Sequence, residues 1–153
     1  MFDIVRQQLG RTVPFARWLG IGIDALDAER ASARLDPAAH LNNHVGTFHA
    51  GALFTACDTA SGAALVGALL PVVMTTRFVV RDARITYLKP AQGRLVAEGR
   101  LARPARDVLD DLARDRRADV TVEVTAHVEG PPDQPPLQVA RATFVWHLRQ
   151  QGG

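Results

Sequence analysis

Between His49 and Arg77 the chain carries a single charged residue, Asp58, within the run AGALFTACDTASGAALVGALLPVVMTT. An unpaired carboxylate is costly to bury, so either this run is exposed or Asp58 is kept there for a purpose. A stretch of about 25 residues with one charge is long enough to span a bilayer. Its first part is built from Ala, Gly, Thr and Ser, however, and Pro71 interrupts its end. Asp58 near the middle would also cost roughly 2.5–3.5 kcal/mol on insertion scales. The run is therefore read as a buried helix from about His49 to Val66, apolar nearly all round and so covered on most sides, and no membrane association is expected.

The rest of the chain is ordinary for a globular protein: of 153 residues, 47% are hydrophobic and 22% charged, which predicts one domain over residues 1–153. The net charge is only +2, from 18 Lys and Arg against 16 Asp and Glu, and Lys89 is the one lysine. No basic run is interleaved with aromatics, so a nucleic-acid partner is not expected. Cys57 is the only cysteine, which excludes an intramolecular disulfide and fits a reducing compartment. The start MFDIVRQQLG has an acid at position 3 and no apolar core, unlike a signal peptide, so a cytoplasmic location is expected.

Before the apolar run, the pattern predicts a short helix over Leu9–Leu19 with Pro14 in a first turn, then a change of direction at Gly20 and Gly22. Glu29, Ala31, Ala33 and Leu35 alternate with Arg30, Ser32, Arg34 and Asp36 in a first strand ended by Pro37. After it come extended runs at Ala83–Lys89 and Arg94–Leu101 joined by a Pro90–Gly93 turn. Val120, Val122, Val124, Ala126 and Val128 then alternate with Thr121, Glu123, Thr125 and His127, and LQVARATFVWHL continues the theme. EGPPDQPP between these two is a loop. Val108, Leu109 and Leu112 support a short amphipathic helix. A strand, a long buried helix and about four strands with short turns form an α+β protein, most simply a curled antiparallel sheet wrapped around one long central helix. That is the hotdog fold.

Asn43-x-x-Gly46-x-x-His49-Ala50-Gly51, followed by Asp58-Thr59-Ala60, resembles the N-x-x-G-x-x-H-G-G…D-x-A signature of hotdog-fold acyl-CoA thioesterases. The similarity is greatest to the phenylacetyl-CoA thioesterase-like branch of the 4-hydroxybenzoyl-CoA thioesterase superfamily. ITYLKPAQGRLVAEG also resembles the strand and turn that follow the helix there. The resemblance implies hydrolysis of an acyl- or aryl-acyl-CoA thioester, with coenzyme A as part of the substrate and no separate cofactor. It further implies Asp58 as general base or nucleophile, the amide of Ala50 (with Gly51 beside it) as oxyanion donor, and Asn43 orienting water or the thioester. Gly46, His49 and Thr59 fall in the same signature and are expected against the substrate. Thr75 or Thr76 stands where a further polar residue would be. The family has Gly-Gly after the His, whereas here the first is Ala50; an Ala would impair the site if that position required positive φ.

Two physical arguments bear on these roles. Desolvation on a buried helix disfavours the charged form of Asp58 and would place a base where water is scarce. The first amides of a helix, those of Ala50 and Gly51, have no partner within it and lie at its positive end. Such amides can hold an oxyanion, at about 3 kcal/mol per donor. Seven or eight residues separate them from Asp58, about 10–12 Å along one helix at ~1.5 Å per residue, too far for one carbonyl to meet both. Pairing of two chains would bring one helix start against the other chain's Asp58, so a homodimer or a dimer of dimers is expected.

Blander readings remain for several residues. Asp58 could bond a neighbouring loop; His49, nine residues away and out of phase, could serve as a helix-start residue; Cys57 could be a small core residue. Arg106, Arg114, Arg116 and Arg117 could contact coenzyme A phosphates or form a solvated charged turn. No metal-ligand spacing, phosphate loop or nucleophile elbow occurs, and no metal is expected. The alternatives are a hotdog protein that binds acyl-CoA or an acyl carrier without turnover, and a hotdog dehydratase or hydratase.

Overall fold

The computed structural model describes residues 1–152. The single helix expected over Leu9–Leu19 is two helices, α1 (Phe2–Thr12) and α2 (Pro14–Leu19). The break falls at Val13, extended at φ −97° and ψ 106°, because the ring of Pro14 disfavours helical backbone in the preceding residue. Gly20, left-handed at φ 84°, ends α2.

Two strands follow, β1 (Gly22–Leu26) and β2 (Arg30–Leu35). The alternation in β2 is as expected, with Ala31, Ala33 and Leu35 buried. Its hairpin partner β1 left no comparable pattern, since only Ile23 of that strand is buried and the register slips between Ile23 and Ala25. The central helix α3 (Ala50–Ala68) comes next, then β3 (Thr76–Tyr87), β4 (Leu95–Leu101), α4 (Ala105–Asp115), β5 (Arg117–Val128) and β6 (Leu137–Gln150). The strands form one antiparallel sheet in the order β1-β2-β4-β5-β6-β3.

The sheet curls around α3, which lies across β2 and β4 and also meets β1, β5 and β6. Leu53, Ala56, Cys57, Ala60, Ala64 and Leu65 are buried against Leu35, Leu95, Ala97, Val122, Val124 and Phe144. Truncating a core side chain such as Leu65 to Ala costs about 2–5 kcal/mol. Gly99 in β4 sets how closely helix and sheet approach, since a Cβ there would lie 2.7 Å from the Ala60 carbonyl oxygen. The amphipathic α4 buries Val108 and Leu112. No helix among the described residues is long and apolar enough to cross a membrane.

The strand expected at Ala83–Lys89 is much longer, and the reason is its place in the sheet. β3 pairs only with β6 and forms a free edge; most of its residues are exposed on both faces, Val79 at 60% and Val80 at 37%. A bulge between Val80 and Asp82 further breaks the period of two.

Candidate active site

The helix start is prepared by a tight loop. Asn43 Oδ1 accepts from the amides of Val45 (3.0 Å) and Thr47 (3.1 Å), while its Nδ2 donates to Thr47 Oγ1 (2.8 Å) and the Phe48 carbonyl (3.4 Å). Gly46 stands within this turn at φ 80°, a conformation that favours glycine. These bonds engage the whole Asn43 amide. Asn43, expected to orient water or a thioester, thus knits the loop that aims the helix. Gly46 likewise serves the turn through its backbone.

His49 caps α3. Its Nδ1 accepts from the Gly51 amide at 2.9 Å, so the ring's proton is carried on Nε2. Of the two amides that lack a partner within the helix, that of Gly51 is thus engaged by the His49 side chain. The His49 carbonyl accepts from the amides of Ala52 (2.9 Å) and Leu53 (3.2 Å). Ala50 N–H is thus left as the amide of this turn with no acceptor among the described residues. Ala50 is the first helical residue and is not among the positive-φ positions. Alanine is unstrained there, and the substitution for glycine leaves the donor in place.

One residue here escaped the sequence reading. Tyr87, the last residue of β3, donates its hydroxyl to the Ala50 carbonyl at 3.1 Å, and burial raises its phenol above the usual range. The available signal was weak: it is the only tyrosine of the chain, in ITYLKP.

Asp58 lies two turns further along α3, half-buried, with no hydrogen-bond donor of the described chain reaching its carboxyl group. Burial raises its affinity for a proton above that of an ordinary carboxylate. Its neighbours are occupied. Thr55 and Thr59 donate to carbonyls one turn back, those of Gly51 and Thr55, and Ser61 Oγ donates to the Asp58 carbonyl while accepting from Trp146 Nε1 at 3.2 Å. Cys57 is buried, its thiol pushed up to about 12, which makes it an inert core group. Thr76, expected at the substrate, is buried and donates to the Val72 carbonyl, so its hydroxyl faces its own chain.

Asp58 and the Ala50 amide, eight residues apart on one helix, stand about 12 Å apart, and one chain does not bring them together. Of the arginines considered for phosphate, Arg114 is held by Asp111 and Asp115 and Arg116 donates to the Gln151 carbonyl, whereas Arg117 lines a cleft with Arg81, Asp119 and His147. No cluster of three metal-ligating side chains occurs among the described residues.

Known proteins place this geometry in context. The chain superposes on a Pseudomonas aeruginosa protein described as "Probable Thioesterase" with a TM-score of 0.82 at 22% identity, covering 99% of this chain and 97% of that one. A "Thioesterase family protein" from Silicibacter pomeroyi gives a TM-score of 0.78 at 19% identity, covering 98% and 99%. At such identities the likeness establishes the fold, that of hotdog proteins. A Halobacterium salinarum protein named "Putative esterase" is 34% identical over 88 residues, 54% of this chain and 58% of the relative. Residues 3–147 match the model of the family described as "Domain of unknown function (DUF4442)", and the chain belongs to that family.

Proposed function

We propose that the protein is a homo-oligomeric acyl-CoA thioesterase whose sites are each built by two chains, Asp58 of one facing the Ala50 amide of the other. The observation that carries this reading is the state of α3: a half-buried carboxyl group without a donor, and a single free amide at the helix start, about 12 Å apart.

The placement of β3 supports a pairing that would close this gap. Phe78, near its beginning, packs edge-on against Trp146 at 5.8 Å, and Trp146 bonds Ser61, less than one turn past Asp58. Tyr87, at its end, bonds Ala50. Two free β3 edges meeting antiparallel about a two-fold axis would set the Ala50 end of one chain beside the Asp58 end of the other, giving two equivalent sites. Pairing would also cover the long exposed edge, with Val79 and Val80 on it.

In such a site the thioester carbonyl oxygen accepts from Ala50 N–H. Ionised Asp58 takes a proton from water as its oxygen attacks the carbonyl carbon; the tetrahedral intermediate collapses, and the C–S bond breaks to release the acid and the coenzyme A thiol. In the nucleophilic variant the carboxylate attacks first, the C–S bond breaks to expel the coenzyme A thiolate, which takes a proton from solvent, and water then hydrolyses the resulting anhydride to the acid and the Asp58 carboxylate. The substrate class is an acyl- or aryl-acyl-CoA. Simple binding without turnover drew its support from Ala50 in place of glycine, and the helical geometry of Ala50 removes that ground. A dehydratase would need a His paired with an acid beside the substrate; His49 has no acid partner among the described residues, and the His147–Asp119 pair at 2.7 Å lies in the arginine-lined cleft. The test is thiol release from a panel of short, long and aryl acyl-CoAs by the wild type and by Asp58→Asn: turnover is expected in the first and lost in the second, and turnover retained by the folded variant removes Asp58 from the mechanism.

A further inference from the structure

We infer that Tyr87 is a positioning residue for the oxyanion amide, clamping the Ala50–Gly51 peptide jointly with His49. The inference rests on the thioesterase reading for its kinetic consequence and on the hydrogen bonds alone for its structural one.

Two peptide units meet at Ala50. In the first, between His49 and Ala50, the carbonyl is held by two amides, those of Ala52 and Leu53, and the N–H is free. In the second, between Ala50 and Gly51, both ends gain a side-chain partner: the N–H donates to His49 Nδ1 at 2.9 Å, and the carbonyl, which opens the α3 ladder, also accepts from the Tyr87 hydroxyl at 3.1 Å. The torsions of Ala50 link the two planes. Fixing the second plane at both ends while the first is anchored by its carbonyl leaves the free N–H one direction in which to point. A donor aimed before the substrate arrives needs no reorganisation as charge develops on the oxygen, which is where an oxyanion hole gains its advantage over water. First-turn residues of a helix otherwise fray, having few intrahelical bonds to restrain them.

The direction of the restraint also matters. His49 belongs to the same turn and would move with it, whereas Tyr87 belongs to β3, a strand fixed to the sheet by its pairing with β6 from Thr76 to Tyr87. Tyr87 therefore ties the helix start to the sheet edge. In a pair of chains joined at that edge, the same strand would hold the donor of one site beside the acid of the other chain.

Tyr87→Phe removes one half-exposed hydroxyl and keeps the ring, so it tests the clamp without emptying space. Two measurements are made on it: kcat and KM with the best acyl-CoA substrate, and backbone amide order parameters of Ala50 and Gly51 in the ligand-free protein. The clamp predicts a kcat about tenfold lower with KM within about twofold, the pattern for an interaction made only in the transition state. It also predicts order parameters falling from about 0.85 toward about 0.6 at these two amides alone. Unchanged order parameters, or a raised KM with kcat unchanged, overturn it. Should the wild type hydrolyse no acyl-CoA, the thioesterase reading fails by that result, and the order parameters by themselves decide whether Tyr87 holds the helix start.

Discussion

The two ends of the candidate site share one helix but differ in completeness. At the start of α3, every polar backbone group but one is matched within the chain: His49 caps, Asn43 knits the preceding loop, Tyr87 holds the Ala50 carbonyl, and one N–H remains free. Two turns later Asp58 sits half-buried with no donor at all, in a state that burial makes unfavourable for its charge. The first region is a finished device with one open contact, and the second is an unsatisfied group. The proposed function assigns that group a partner outside the chain, a substrate and a second copy.

The sharpest way to break this contrast is to remove the carboxylate. Asp58→Asn is expected to lower kcat by about 10²–10⁴-fold, the range for a positioned base, measured as thiol release. In the wild type the rate should rise with pH through a midpoint above the ordinary carboxylate range, since the ionised form is the active one and burial raises its pKa. A midpoint in the ordinary range would mean that Asp58 is solvated in the assembled protein.

Next in size is the donor. Ala50 occupies the first position of α3, where proline is well tolerated, and His49 before it is already extended at φ −60° and ψ 140°. Ala50→Pro should fold yet lack the N–H, with kcat down about 10²–10³-fold. Mixing this variant with Asp58→Asn distinguishes one chain from two. In an equal, randomly exchanged mixture half the dimers are mixed, and each has one of its two sites intact, so about a quarter of wild-type turnover returns. If both groups act within one chain, nothing returns.

This contrast explains what the sequence made legible. Asp58 was conspicuous because one charge in an apolar run is rare, and the buried alternation of β2, β5 and β6 reported the sheet because those strands have one covered face. Neither β1 nor the first half of β3 has that asymmetry: β1 buries only Ile23, and β3 is exposed on both sides and bulged. The motif located Asn43 in the loop before the helix and Gly51 in its first turn, but a motif fixes positions and leaves open whether a polar group has a partner within its own chain. Tyr87 was illegible for a related reason, its bond joining residues 37 apart.

A smaller effect tests the departure at Ala50. Because the position is helical, Ala50→Gly should change kcat/KM by no more than about twofold while lowering stability by up to about 1 kcal/mol, the helix-propensity difference, read by denaturant unfolding. A large gain in rate would mean that the helix start must rearrange to a glycine-only conformation during turnover.

The smallest effect concerns stability, and its sign is informative. The folded-state pKa of Asp58 is raised, so between the ordinary carboxylate value and the raised one the native protein holds more protons than the unfolded chain. Stability then falls as pH rises through that window, and at neutral pH the carboxylate is a net burden. Asp58→Asn should therefore melt slightly higher than the wild type near pH 7, by about 1–2 °C for a partly solvated group, with the difference vanishing below the ordinary carboxylate value. That sign belongs to a carboxylate without a donor. If the variant melts lower instead, the second chain supplies Asp58 with a hydrogen bond that one chain lacks, and the open end of the site is closed by assembly before any substrate arrives.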